Sequence, residues 1–309
     1  MKTVFAKTLR NGDDLFDQPF LLLEVTQRKT RDDRPYILFD LSDKTGRIGG
    51  VYWNVPDSVI ESCPAGQVVL VTGNVTTYNQ RLQVVAVDLQ PFEPDSMADY
   101  APSSRREENQ MTSELKQIIS ELREPLSTLL TKILLKPLFL RRYAQAPAAK
   151  MMHHACIGGL LEHSLNVVQY CHLASKLYSD IDLDLLIAGA LLHDVGKVEA
   201  YELAAAFPMT NNERLVGHIG TGLIIVDRAA REMDLPEPLL QELLHIIVAS
   251  HGTREWGSPE PPRTLEAVLL SQFDLLDSRA QGFLDHVAAE PGDNEWTSRS
   301  AMFGHELKR

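Results

Sequence analysis

The sequence predicts two domains of different class, a small N-terminal β-barrel followed by an all-helical bundle. Three observations carry this reading. Short β-rich runs separated by turn residues crowd positions 1–93, and helix-period apolar runs fill positions 111–290. Between them, positions 94–110 shift to Pro, Ser and paired charges, the composition of a linker. Strands early and helices late indicate separate β and α units rather than alternating βαβ layers.

In the first unit five runs read as strands: Leu21–Val25, Tyr36–Leu41, Gly49–Trp53, Val68–Val75 and Leu82–Val87. Turn chemistry divides them at Asp43-Lys44-Thr45-Gly46, Pro64-Ala65-Gly66 and Tyr78-Asn79-Gln80. Five strands in under a hundred residues suggest an OB-type barrel, a fold that often binds single-stranded nucleic acid. Alternation along the second run sends Ile37, Phe39 and Leu41 to the core and Tyr36 and Leu38 outward. Tyr36, Trp53 (or Tyr52) and Tyr78 are candidates to stack bases, and Lys29, Arg31, Arg34 and Arg81 are candidates to meet phosphates. The alternative is that these aromatics simply fill the barrel or its rim.

In the linker, Arg105-Arg106 beside Glu107-Glu108 reads as a solvated patch. Thr112 or Ser113 is placed to cap a helix bearing Leu115, Ile118, Ile119 and Leu122, and Leu126–Leu140 supplies a second apolar segment after Pro125. Further helices are expected over Leu160–Tyr178, Leu183–Asp194, Glu213–Met233, Pro238–Ser250 and Thr264–Ala289. The tail, 291–309, carries no clear period. Gly217-His218-Ile219-Gly220-Thr221-Gly222 lacks the GxGxxG spacing and a preceding strand, which excludes a dinucleotide loop.

The chain of 309 residues has a formal charge of −12. Positions 1–93 hold 10 Lys+Arg against 12 Asp+Glu, leaving 20 against 30, or −10, for the remainder. Such a balance argues against wholesale wrapping of duplex nucleic acid, so a polyanion must be held by local basic groups or metal ions. No run of about 18 apolar residues exists to span a membrane, and the N-terminus lacks an apolar signal core. Cys63, Cys156 and Cys171 form neither a CxxC pair nor an even framework, which fits a reducing cytoplasm.

The candidate chemistry is centred on Leu191-Leu192-His193-Asp194-Val195-Gly196-Lys197. Asp194 continues the apolar face of Leu183, Leu186, Ile187, Ala190 and Leu191, so the helix carries a carboxylate inward. A buried carboxylate is costly without a cation or hydrogen bonds, and a metal with a histidine co-ligand answers that cost. His163, His218, His251 and Asp274 lie on other apolar helical faces, and a bundle can aim all of them at one cavity. Any one alone reads as a core or capping residue. Together, imidazoles and carboxylates without thiolates favour Mn²⁺, Fe²⁺, Co²⁺, Zn²⁺ or, less well, Mg²⁺, and up to six ligands exceed one tetrahedral structural zinc. His245 competes with His251 but lies about 120° around the helix, so His251 is preferred.

The order His163 … His193-Asp194 … His218 … His251 … Asp274 is similar to that of HD-domain metal-dependent phosphohydrolases. More narrowly, His153–His163, Gly189–Lys197, Gly217-His218-Ile219 and Ser250-His251-Gly252, followed by Glu255–Pro259, resemble the YhaM-type 3′→5′ exoribonuclease family, which also carries an N-terminal OB-fold. The resemblance spans roughly Lys7 to Ala280, with one departure: Ser250 stands where a His-His pair is expected. It implies a dinuclear site, with His163, His193, Asp194 and Asp274 on one metal and His218 and His251 on the other, Asp194 bridging. It also implies Mn²⁺ as the first choice of ion, His153 or His154 as a substrate contact, and Lys197 as a phosphate contact rather than a helix-end charge. Glu255 and Trp256, after the His251 turn, are candidate pocket walls.

The expected activity is metal-dependent 3′→5′ exonucleolytic hydrolysis of single-stranded RNA, with single-stranded DNA as the alternative substrate. Asp194 and Lys197 carry the chemistry, and His153, His154, Tyr36, Trp53, Arg34 and Arg81 bind substrate. Two rivals stand beside this reading: a phosphodiesterase or nucleotidase acting on small nucleotides, and a non-catalytic nucleic-acid-binding regulator with a structural metal. No membrane partner is expected, and assembly into a homo-oligomer is left open.

Overall fold

The computed structural model describes residues 2–79, 81–94, 99–100, 103–104, 106–149, 154–201, 207–289 and 294–309. Its first unit is a closed five-stranded barrel of β1 (Asp14–Lys29), β2 (Pro35–Asp43), β3 (Gly46–Trp53), β4 (Val68–Tyr78) and β5 (Arg81–Phe92), in the order β1-β2-β3-β5-β4. Every pairing is antiparallel except β3 with β5. A short helix, α1 (Asp57–Ser62), joins β3 to β4. β1 is far longer than the apolar run that announces it, because the sequence pattern breaks where the strand does. A bulge between Leu22 and Glu24 bends it, so one half pairs with β4 and the other with β2, closing the barrel. Phe20, Ile37, Phe39, Leu41, Val71 and Val84 fill the interior. Phe39 lies against Gly50, where a Cβ would come within 2.1 Å of its ring.

Tyr100, beyond β5, packs on the outside of the barrel with Leu21 and Val68, and Ser104 N–H donates to Ile157 O at 2.8 Å. Two described residues between the units, Tyr100 and Ser104, are thus held by neighbouring elements. The linker is shorter than expected. Helix α2 (Glu108–Glu121) starts inside the expected linker, with Thr112 and Ser113 bonded back to Asn109 O within the helix instead of capping it.

The second unit continues with α3 (Leu126–Leu134), α4 (Pro137–Gln145), α5 (Gly159–Ser175), α6 (Leu183–Leu192), α7 (Asn211–Leu215), α8 (Gly217–Arg231), α9 (Glu237–Val248) and α10 (Leu265–Ala289). Two expected helices are split. The segment Leu126–Leu140 breaks before Pro137, which has no N–H to donate and opens a new helix. The segment Glu213–Met233 breaks at Gly217, whose φ of 77° ends α7 and starts α8. The tail is ordered where described: β6 (Trp296–Arg299) and β7 (Glu306–Lys308) form a hairpin, with Phe303 edge-on to Phe283 and Ser298 O accepting from His286 on α10.

Helix α6 sits at the centre. Asp182 caps it by accepting from Leu185 N–H, and every residue from Leu185 to Leu192 is buried. An apolar stripe was expected, but the helix is apolar all round, as a helix surrounded by others must be. It delivers His193 and Asp194 to the middle of the bundle.

Candidate metal centre and nucleic-acid face

Five elements bring the expected ligands together: His163 on α5, His193-Asp194 at the end of α6, His218 in the first turn of α8, His251 after α9, and Asp274 on α10. His163, His193 and Asp194 place one ligand atom each within 4.8 Å of one another, and Asp194, His218 and His251 do the same. Asp194 is common to both groups. Asp274 joins from α10, its Oδ1 3.2 Å from His163 Nε2. His245 is elsewhere, with Nε2 accepting from Arg263 N–H.

The ring orientations are dictated from behind. His193 Nδ1 lies 2.9 Å from Ala190 O, and a carbonyl can only accept, so Nδ1 carries the proton and Nε2 the lone pair. His163 Nδ1 lies 2.7 Å from Asp277 Oδ2, and His218 Nδ1 lies 2.8 Å from Glu213 Oε1. All three rings thus turn Nε2 inward, the arrangement by which outer carboxylates and carbonyls orient histidine ligands. The Nε2 atoms of His163 and His193 stand 3.3 Å apart, within hydrogen-bond reach. His218 Nε2 faces Asp194 Oδ1 at 3.8 Å, and both atoms are buried without a hydrogen-bond partner among the described residues. An inward lone pair opposite a carboxylate oxygen is repulsive unless a cation lies between them. The donor set therefore fits a divalent metal.

The electrostatics agree. Burial would lower the His163 pKa, but Asp274 and Asp277 outweigh it and raise it to about 9. Burial would raise Asp194, yet Lys197 and His193 hold it well below the carboxylate range, and His163 similarly brings Asp274 down to about 2. Burial lowers His251, leaving a neutral imidazole suited to ligation. The pocket is built to hold carboxylates ionised, with positive charge as their counterpart.

The backbone permits this crowding at two glycines. A Cβ on Gly196 would lie 2.0 Å from His218 O, so only glycine lets the turn after Asp194 press against the first turn of α8. A Cβ on Gly159 would lie 2.0 Å from His154 O, so α5 begins directly against His154.

The helix expected to end at Asp194 ends at Leu192, and around Lys197 the chain tightens into a 3₁₀ turn, Val195–Glu199. Residues three apart eclipse in such a turn. Lys197 Nζ accordingly donates to Asp194 Oδ2 at 2.6 Å, and the buried pair raises the lysine's pKa despite desolvation. Glu199, the neighbouring carboxylate, instead has its Oε1 3.9 Å from Arg142. His251 is likewise displaced, lying in the turn beyond Val248 rather than at the helix end.

His154, a candidate substrate contact, is 2% exposed and its Nε2 lies 2.9 Å from Asp277 Oδ2. Burial sets it behind His163 rather than facing solvent. His153 lies outside the described residues. Ser250 is fully buried and its Oγ has no hydrogen-bond partner among the described residues. Asp277 and Glu213 are the residues that the sequence reading missed as part of the site. Asp277 lies one helical step beyond Asp274, and Glu213 five residues before His218. A carboxylate at that distance from a candidate ligand was the available signal.

On the barrel, Tyr36 and Trp53 are register partners on β2 and β3, with ring centroids 4.7 Å apart. Trp53 is half exposed and Tyr52 is buried, which decides between them. Arg34 is exposed in the β1–β2 loop with Asp32 within 3.4 Å, and Lys29 pairs with Asp33. Exposed pairs of this kind are weak, about 1 kcal/mol or less, and exchange readily for a phosphate. Arg81 is exposed at the start of β5, opposite Tyr78.

A fold of this kind with this ligand set defines the class: an OB-fold domain joined to an HD domain that binds divalent metal. The family model for the OB-fold nucleic acid binding domain matches residues 24–92, and that for the HD domain matches residues 160–279. The chain is a homologue of the protein described as 3′-5′ exoribonuclease YhaM in Bacillus velezensis (strain DSM 23117 / BGSC 10A6 / LMG 26770 / FZB42) and in Bacillus subtilis (strain 168). To each it is 29% identical over 286 residues, covering 92% of this chain and 90% of the relative.

Proposed function

We propose that the chain is a metal-dependent 3′–5′ exoribonuclease that shortens single-stranded RNA, and that its two ligand groups would hold Mn²⁺. The observation that carries this is the common membership of Asp194 in two ligand groups, one with His163 and His193 and one with His218 and His251. Bound divalent ions supply an activated water and neutralise charge developing on phosphorus. The remaining work falls to the chain. His163, His193, Asp194 and Asp274 form one ligand set, His218 and His251 the other. Lys197, beside Asp194 and lining the adjoining cavity, is positioned to hold a phosphate oxygen as an ammonium. Residues 1–93, through Tyr36, Trp53, Arg34 and Arg81, hold the strand upstream, while the helical unit after the linker cuts its end. The three free cysteines suit a reducing compartment, the cytoplasm.

The test offers 5′-labelled single-stranded RNA with Mn²⁺. Stepwise shortening from the 3′ end that is lost in Asp194→Asn supports the reading. Turnover confined to small nucleotides, or binding without turnover, sinks it, and a matched DNA strand decides the preferred sugar.

A further inference from the structure

Beside the ligand cluster lies a cavity of about 230 Å³. Lys197, His251 and Asp274 line it together with Trp256, Leu275 and Ser278. The first three belong to the proposed chemistry. Trp256 does not. It is 54% exposed at the end of a 3₁₀ turn, Arg254–Trp256, so it is not core.

That turn is firmly held. Trp256 N–H and Ser258 N–H both donate to Thr253 O, at 3.2 and 3.1 Å. Ser258 is buried, with Oγ 2.9 Å from Val248 O, which ties the turn to the last residue of α9. Gly257 adopts φ of 94°, and a Cβ there would lie 3.7 Å from His251 Nδ1, so the turn folds directly over a candidate ligand. An indole presented on a rigid turn, at a cavity shared with two metal-ligand candidates and a cation, is suited to a flat aromatic group attached to a phosphate. Its stacking costs little backbone entropy, because the turn is already ordered.

We propose that Trp256 is the stacking platform for the base of the nucleotide being removed, and that this cavity is the slot for that base. The proposal rests on the exonuclease reading for the identity of its ligand, a nucleoside 5′-phosphate unit at a 3′ end. Every base has a π-face, so such a platform gives grip without sequence preference, as trimming of varied 3′ ends requires.

The experiment titrates adenosine 5′-monophosphate and ribose 5-phosphate into the metal-free protein while following the indole N–H resonance of Trp256 by NMR. The wild type is expected to shift that resonance with the nucleotide and to prefer it over the sugar phosphate. Trp256→Ala, followed on other resonances of the cavity, is expected to lose affinity for the nucleotide by about 5- to 140-fold, the worth of one base on an aromatic ring, with ribose 5-phosphate unaffected. Trp256→Phe is expected to retain most of the preference. With Mn²⁺ present, Trp256→Ala should slow removal of an ordinary 3′-terminal nucleotide but not of an abasic one. Unchanged nucleotide affinity in Trp256→Ala overturns the proposal, and so does an equal loss for both ligands, which marks a structural role. A wild type that never shortens RNA, yet loses its nucleotide preference in Trp256→Ala, removes the exonuclease reading and leaves the slot standing.

Discussion

Asp277 Oδ2 lies 2.7 Å from His163 Nδ1 and 2.9 Å from His154 Nε2, so one carboxylate oxygen serves two buried imidazoles. Asn166 Nδ2 donates to the other oxygen at 3.1 Å. These partners close the triad by hydrogen bonds, and it functions as a brace behind the ligand face of His163. An amide at this position has only one oxygen to meet the same set of donors. Asp277→Asn is therefore expected to weaken metal binding by about 10- to 100-fold, the usual cost of an outer-shell change, while the fold persists. Calorimetric titration with Mn²⁺ measures it, and wild-type affinity would show that His163 needs no brace.

Lys197 neutralises Asp194 in the metal-free protein, and removing one partner of a buried ion pair typically costs about 3–5 kcal/mol. Lys197→Met should accordingly destabilise the metal-free form and regain stability with Mn²⁺, since the ion supplies the missing positive charge. Turnover with metal bound should still fall by roughly 10² or more if the ammonium grips phosphate more tightly in the transition state. Thermal unfolding with and without Mn²⁺, set beside single-turnover rates, separates the two effects. A variant that turns over normally with metal bound leaves Lys197 only its structural part.

The Tyr36–Trp53 pair sits at a register position shared by β2 and β3, with Trp53 exposed and Tyr36 half-buried. Trp53→Ala should weaken binding of a long single strand by about 1–3 kcal/mol, the value of one stacked base, and leave cleavage of a dinucleotide unchanged. Equal losses on both substrates would mean that the pair supports the barrel and does not touch RNA.

Lys2 is enclosed between the Phe20 ring, 3.4 Å from Nζ, and Asp43, 3.4 Å away, and it also donates to Pro19 O. Burial outweighs the Asp43 attraction and lowers its pKa from 10.5 to about 8. Between pH 8 and 10.5 the unfolded chain holds more protons at this position than the folded one, so stability rises with pH over that window. The stability advantage of wild type over Lys2→Met should grow by up to about 1.4 kcal/mol per pH unit across it. Denaturant titrations at pH 7.5, 8.5 and 9.5 provide the check. A difference independent of pH would show that Lys2 titrates alike in both states.

The domain classes and the candidate ligands were legible in the sequence because both are written locally. Alternation in Ile37, Phe39 and Leu41 is a property of one strand, and the position of Asp194 on an apolar face is a property of one helix. What tertiary structure alone decided was everything that depends on where separate elements meet. The closing of the barrel turns on a bulge in β1, and the break at Gly217 turns His218 toward Asp194. The 3₁₀ turn places Lys197 on Asp194 instead of beyond it. Asp277 is 114 positions from His163, and their contact exists only because α5 and α10 pack side by side. Local periodicity states which face a residue occupies. Only packing states what stands opposite that face, and that partner sets tautomer, charge and access.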